Sequence, residues 1–188
     1  MPEPRDVAVL IGSLRAASFT RKLVAALSEL APPTVSLSVV EIGRLALYNQ
    51  DLEDAGAPAE WTAFRARIKA ADAVLFATPE YNRSVPAVIK NAIDVGSRPP
   101  RESVWAGKPG AVISVATGQL GAFGANHHLR QSLVFLNVPT MAAPEAYIGN
   151  ADSLFDEGGR LTNASTREFL GKFVNAFAAW VELVAPRR

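Results

Sequence analysis

Between Gly12 and Leu23 the chain reads G-S-L-R-A-A-S-F-T-R-K-L, and these side chains suit the capture of an anion. Ser13, Ser18 and Thr20 bring hydroxyl donors, and Arg15 brings a full positive charge on a forked set of N–H groups. The run before them, residues 7–11, is Val-Ala-Val-Leu-Ile with no polar alternation, as in a strand buried on both faces. A helix follows, with Leu23, Leu27 and Leu30 on one stripe. Strand, small-residue loop and helix together make an anion site. The first helical amides have no partner inside the helix, and the helix dipole favours negative charge there. The loop lacks the Gly-Lys-Ser/Thr ending of a triphosphate loop and the G-x-G-x-x-G spacing that admits a pyrophosphate. A terminal phosphate monoester, held without metal, is the anion that remains. The same residues would also serve a plain strand-to-helix turn with a serine cap and a surface arginine.

A second polar loop, residues 78–84 (T-P-E-Y-N-R-S), follows another unbroken apolar run at 73–77. Its backbone N–H and C=O groups could meet the donors and acceptors at the edge of a flat heterocycle. Pro86 falls in the first turn of the next helix, where its missing N–H costs nothing. A third small-residue loop, with Thr117 and Gly118, follows the apolar run at 109–115. The elements that must carry these loops alternate in order. Strands are expected at 7–11, 35–42, 73–77, 109–115 and 139–143. Helices are expected after the first loop, ended by Pro32-Pro33, then at 59–71, beyond Pro86, at 121–136 and at 165–184. Residues 43–58 form a long connection, and Trp61, Phe64 and Ile68 recur at helical spacing. The stripe Phe169, Phe173, Phe177, Trp180, Val184 marks the last helix. This alternation predicts an α/β fold: a three-layer sandwich of a five-stranded parallel sheet with helices on both faces. All three loops then lie at the carboxyl ends of the strands, where ligands of such sheets bind. Two strand orders fit, and the absence of a pyrophosphate pattern favours the flavodoxin-like one, 2-1-3-4-5.

Bulk composition removes several classes of function. A chain of 188 residues is read as one domain, 1–188, and 49% apolar residues argue against disorder. The formal net charge is +1 with scattered cations, so no nucleic-acid partner is expected. With no cysteine, thiol catalysis, iron–sulfur ligation and disulfides are excluded. His127 and His128 are the two histidines and are adjacent, so no metal is expected. No run is long enough to span a bilayer and no leader is expected, which points to the cytoplasm.

Two stretches together resemble one family. They are G-S-L-R-x-x-S-F at 12–19, and P-E-Y-N-x-S-x-P at 79–86 followed by K-N-A-I-D at 90–94. They are similar to the NAD(P)H-dependent FMN reductases, and within them to the bacterial chromate and quinone reductases. His128-Leu129-Arg130-Gln131 and Pro144-Glu145 also fit. The resemblance implies bound FMN, with NADH or NADPH as electron donor in ping-pong hydride transfer. It implies quinones, chromate or ferric chelates as acceptors, and a homodimer or homotetramer. Ser13, Leu14, Arg15, Ser18, Phe19 and Thr20 would surround the phosphate. Pro79, Glu80, Tyr81, Asn82 and Arg83 would line the isoalloxazine, partly through backbone groups. Thr117 and Gly118 would close its other side, and Arg101, in a loop expected near the flavin edge, would draw in anionic substrates. The chain departs from the family at Thr20, usually asparagine, at Ala116, often serine, at Gly124, often arginine, and at His127, commonly tyrosine. His128 is expected to pack at its helix root, and His127 to bond Glu145 across a subunit contact. Lys90 and Asp94 should form a solvated i, i+4 pair. A flavodoxin-type carrier would be strongly acidic, which this chain is not. A reductase that releases its reduced flavin is a further alternative.

Overall fold

A computed structural model describes residues 3–186, so residues 1, 2, 187 and 188 of the expected domain lie outside the described residues. Five parallel strands form one sheet in the order β2-β1-β3-β4-β5. They are β1 (Arg5–Ile11), β2 (Val35–Val40), β3 (Ala73–Thr78), β4 (Gly110–Val115) and β5 (Ala146–Ile148). The helices are α1 (Phe19–Leu30), α2 (Gln50–Asp54), α3 (Ala59–Ala70), α4 (Ala87–Gly96), α5 (Phe123–Phe135) and α6 (Ala164–Val184). This is the flavodoxin-like order expected from the loop chemistry.

Alternation along the central strands divides the core in two. Val7, Val9, Ile11, Leu75 and Ile113 face Leu23 and Leu27 of α1 and Phe173 and Phe177 of α6. Ala8, Leu10, Phe76 and Val112 face Trp61, Phe64 and Ile68 of α3, Ile89 and Ile93 of α4, and Leu129 and Leu133 of α5. No described helix is long and apolar enough to cross a membrane.

Three expectations about elements change. The fifth strand is not 139–143 but Ala146–Ile148. Thr140 makes a single bridge to Gly110, and the chain then leaves the sheet before Pro144, which has no N–H to donate, and rejoins it at Ala146. The connection at 43–58 contains α2, which buries no residue and so leaves no periodic signal. Pro86 is the residue before α4 rather than part of its first turn. The Lys90–Asp94 pair forms as expected, at 2.7 Å, with both side chains about half exposed.

The amino-terminal edge of the sheet is closed by ion pairs. Arg5, 7% exposed, bonds Asp72 and Glu182, both at 3.1 Å, and the Pro186 carbonyl at 3.2 Å. Its hydrogen bond to Glu182 raises the Arg5 pKa further against the cost of burial. Arg67 forks onto Asp6 at 2.8 and 3.0 Å. The Lys108 ammonium caps the carboxyl end of α3 through the Ala71 carbonyl, and burial lowers its pKa.

Candidate functional site

The loops after β1, β3 and β4 meet at the carboxyl edge of the sheet. Gly12 joins the first two. Its N–H reaches the Ala77 carbonyl at 2.8 Å. A Cβ there would lie 3.1 Å from Pro79 Cδ and 3.2 Å from the Thr78 hydroxyl, so this close approach is kept by glycine.

Beyond Gly12 the chain turns over the start of α1. Ser13, Ser18 and Thr20 are all buried, whereas Leu14 and Arg15 are exposed. Ser18 caps α1, its hydroxyl accepting from the Arg21 N–H at 3.1 Å. The first turn of α1 holds no acidic residue, so nothing local offsets the positive end of its dipole. Among the described residues no acceptor serves the amides of Ser13, Leu14, Arg15, Ala16 and Ala17, nor those of Phe19 and Thr20. The Arg15 guanidinium has no anionic partner among them either. A succession of unserved N–H groups, hydroxyls and one free cation is a receptor for an anion. The residues present therefore fit the phosphate of FMN. Phe19 plays another part: its ring stacks on Phe155 at 6.1 Å and lies under the Lys22 ammonium, which ties α1 to the chain before α6.

The second loop folds as a closed turn. Tyr81 and Ser84 exchange N–H···O bonds of 3.0 Å each way. Asn82 and Arg83 between them have φ of 51° and 64°, the sign pattern of a type I′ turn. The Glu80 side chain reaches from the turn to the start of α5. Its carboxylate accepts from the Ala125 N–H in α5 at 3.0 Å and meets Arg83 at 3.4 Å.

The third loop, with Thr117 and Gly118 exposed, is seated from below. The Ser114 hydroxyl donates to the Gly121 carbonyl at 2.7 Å. The fully buried Asn126 amide reaches Ser114 Oγ at 3.2 Å and the Ala146 carbonyl at 3.3 Å. The sequence reading missed this pair; a serine in an apolar strand and an asparagine on a buried helix face were the available signals. Leu14, Tyr81 and Leu120 on these loops, and Phe123 at the start of α5, leave apolar surface exposed.

Two expectations are corrected. Arg101 does not lie beside these loops in its own chain. Helix α4 runs back from the carboxyl edge, so the loop after it must lie at the opposite edge. There Arg101 lines a cavity of about 650 Å³ together with Arg5, Asp72 and Lys108. Within its own chain His127 meets the Tyr147 hydroxyl at 2.9 Å, and Tyr147 in turn bonds Glu145. Burial first, then the Glu145 hydrogen bond, raise the Tyr147 pKa from 10.0 to about 12. His128 is exposed rather than packed at the helix root, and its Nδ1 lies 2.9 Å from the Ser84 hydroxyl.

Known proteins resemble this chain over nearly its whole length. A quinone reductase of Pseudomonas putida is 58% identical over 183 residues, covering 97% of this chain and 98% of that protein. A 2-hydroxy-1,4-benzoquinone reductase of a Burkholderia species is 45% identical, over 93% and 95% of the two chains. The solved structure of FerB, a flavoenzyme NAD(P)H:(acceptor) oxidoreductase from Paracoccus denitrificans, superposes with a TM-score of 0.91 at 41% identity, over 97% of this chain and all of that one. The sequence profile of the NADPH-dependent FMN reductases matches residues 5–153, and the chain belongs to that family.

Proposed function

We propose that this protein is an FMN-dependent oxidoreductase that takes electrons from NADH or NADPH and delivers them to quinones. The observation that carries this reading is the run of unserved amides at residues 13–17, 19 and 20, at the positive end of α1. A doubly charged phosphate monoester matches that cradle, and FMN ends in one. Ser13, Arg15, Ser18 and Thr20 would hold the phosphate, with Leu14 alongside. Backbone groups of Pro79, Glu80, Tyr81, Asn82 and Arg83 would face the ring, and Thr117 and Gly118 would close its other side. FMN, when bound, supplies the hydride chemistry, while the protein supplies orientation and electrostatics. Arg15 offsets the phosphate charge. Leu14, Tyr81, Leu120 and Phe123 offer apolar surface to a flat acceptor and keep water from it.

Quinones as the acceptor class are supported by relatives named for reducing quinones. Chromate, implied by the resemblance, is a second acceptor read by the same assay. A homodimer or homotetramer is supported by Val134 and Phe135, 76% and 87% exposed on α5, which an assembly would cover. The solution mass tests it.

The test is anaerobic. The purified protein should show the twin visible bands of flavin, bleach with NADH or NADPH, and regain colour on adding 1,4-benzoquinone. Protein that stays colourless in FMN, or a flavin that keeps its colour under both nicotinamides, refutes the reading.

A further inference from the structure

The turn from Tyr81 to Ser84 is an expensive object. Tyr81, Asn82 and Arg83 are all exposed, so little packing holds them. Asn82 and Arg83 both occupy the left-handed region without being glycine. Each such residue costs on the order of 1 kcal/mol or more and persists only where its surroundings fix it.

Helix α5 supplies the fixing. Its own start is poorly finished: Ala122, the N-cap residue, has no side chain that can cap, and the first turn holds no acid. Glu80 makes good both lacks from another loop, its carboxylate accepting from the Ala125 N–H at 3.0 Å beside the positive end of the helix. That side chain is only 13% exposed. Its other oxygen meets Arg83, so one carboxylate holds both the helix and the turn. Gly124 makes the approach feasible. A Cβ there would stand 2.9 Å from Glu80 Oε2 and 3.0 Å from the Arg83 carbonyl, at the carboxylate and on the turn itself. One helical turn on, His128 meets Ser84 at 2.9 Å and ties down the far side of the turn. Glu80 and Ser84 thus fasten both ends of the turn to one helix.

We propose that Glu80, Gly124 and His128 are positioning residues that hold the 81–84 turn against α5, and that this fastening sets how tightly FMN is bound. The second half rests on the functional reading above. Glu80 then acts on the helix and the turn, and the flavin meets the turn's backbone. A Cβ at position 124 would press on both the carboxylate and the turn.

The test compares Glu80→Ala, Glu80→Gln and Gly124→Ala with the parent, all as apoprotein. In Glu80→Ala the Ala125 amide should exchange its hydrogen at least about tenfold faster, since its acceptor is gone, whereas Glu80→Gln keeps an acceptor and most of the protection. FMN Kd, read from quenching of flavin fluorescence, should rise about tenfold in Glu80→Ala and in Gly124→Ala, and less in Glu80→Gln. The thermal midpoint of Gly124→Ala should not fall in proportion, because alanine is the better helix former. Unchanged Ala125 exchange in Glu80→Ala overturns the fastening, whether or not FMN binds. A parent that binds FMN, with both alanine variants binding it equally well, overturns the positioning role. A parent that leaves FMN fluorescence unquenched overturns the functional reading and with it the role, while the exchange data still decide the fastening.

Discussion

Arg15→Ala separates binding from stability more cleanly than any other change at the phosphate loop. The Arg15 side chain is exposed and makes no hydrogen bond or ion pair with the described residues, so its loss removes no contact from the folded chain. Only its backbone carbonyl is used, by the Ser18 N–H at 3.2 Å, and alanine keeps that. Such a surface change moves stability by less than about 0.5 kcal/mol. In a chain of this size that is under about 2 °C in thermal midpoint. For the bound phosphate, a hydrogen bond from a charged donor contributes about 1.5–3 kcal/mol. That corresponds to about a 10- to 150-fold rise in FMN Kd, and solvent access at this loop favours the lower end. The assay is titration of apoprotein with FMN and, in parallel, with riboflavin, which carries no phosphate. Arg15→Ala should weaken FMN and leave riboflavin unaltered, and the difference should shrink in molar salt, where screening is strong. If FMN binds the variant as tightly as the parent, or if both ligands weaken equally, the phosphate assignment of this loop is wrong.

Ser18→Ala should lose on both counts: removing the α1 cap costs about 1 kcal/mol, or about 2–4 °C, and FMN affinity should fall too. Differential scanning calorimetry and flavin titration read the two effects. Arg5→Ala should be costly in stability alone, about 3 kcal/mol for breaking a largely buried pair, with FMN Kd unchanged well below the melting range. For Tyr147 the folded pKa is raised, so the neutral phenol is the form the fold favours. The stability it contributes is whole below pH 10 and disappears as pH rises through about 12. Tyrosinate absorbance should show one of the three tyrosines ionising late in the parent and none doing so in Tyr147→Phe; a late component that survives the substitution refutes the assignment.

The parts of the fold legible in the sequence are those where burial leaves a period. β1, β3 and β4 are buried almost throughout, and each appears as a mainly apolar run. The failures also have physical causes. Residues 139–143 are mostly apolar, yet what makes a strand is a partner for several successive amides, and here only Thr140 bridges. Arg5 pairs with groups 67 and 177 residues away, a spacing no local pattern reveals. Phe19 sits inside the anion motif, but its ring finds Phe155. Gly124 stood out as a departure from the family, and its meaning waited on knowing that Glu80 lands beside it. Arg101 is different, because connectivity alone places it away from the loops of its own chain. A helix that leaves the carboxyl edge of a parallel sheet must return its chain to the amino edge.

The two edges of the sheet divide stability from binding. At the amino edge the charged groups are closed on one another: Arg5 with Asp72 and Glu182, Arg67 with Asp6, Lys108 with the end of α3. At the carboxyl edge the first loop keeps its amides and its arginine open to a ligand. The second loop adds left-handed residues that need a helix to hold them. Parallel strands make this division natural, because every helix that follows a strand points its positive end toward the same edge. An anion at that edge therefore meets the dipoles of α1, α4 and α5 together, and at α1 the open amides are joined by buried Ser13, Ser18 and Thr20 and by Arg15. The α5 end is already committed to Glu80. At α1, then, an anion finds both charge and donors, whereas the carboxylate of Glu80 already occupies the start of α5.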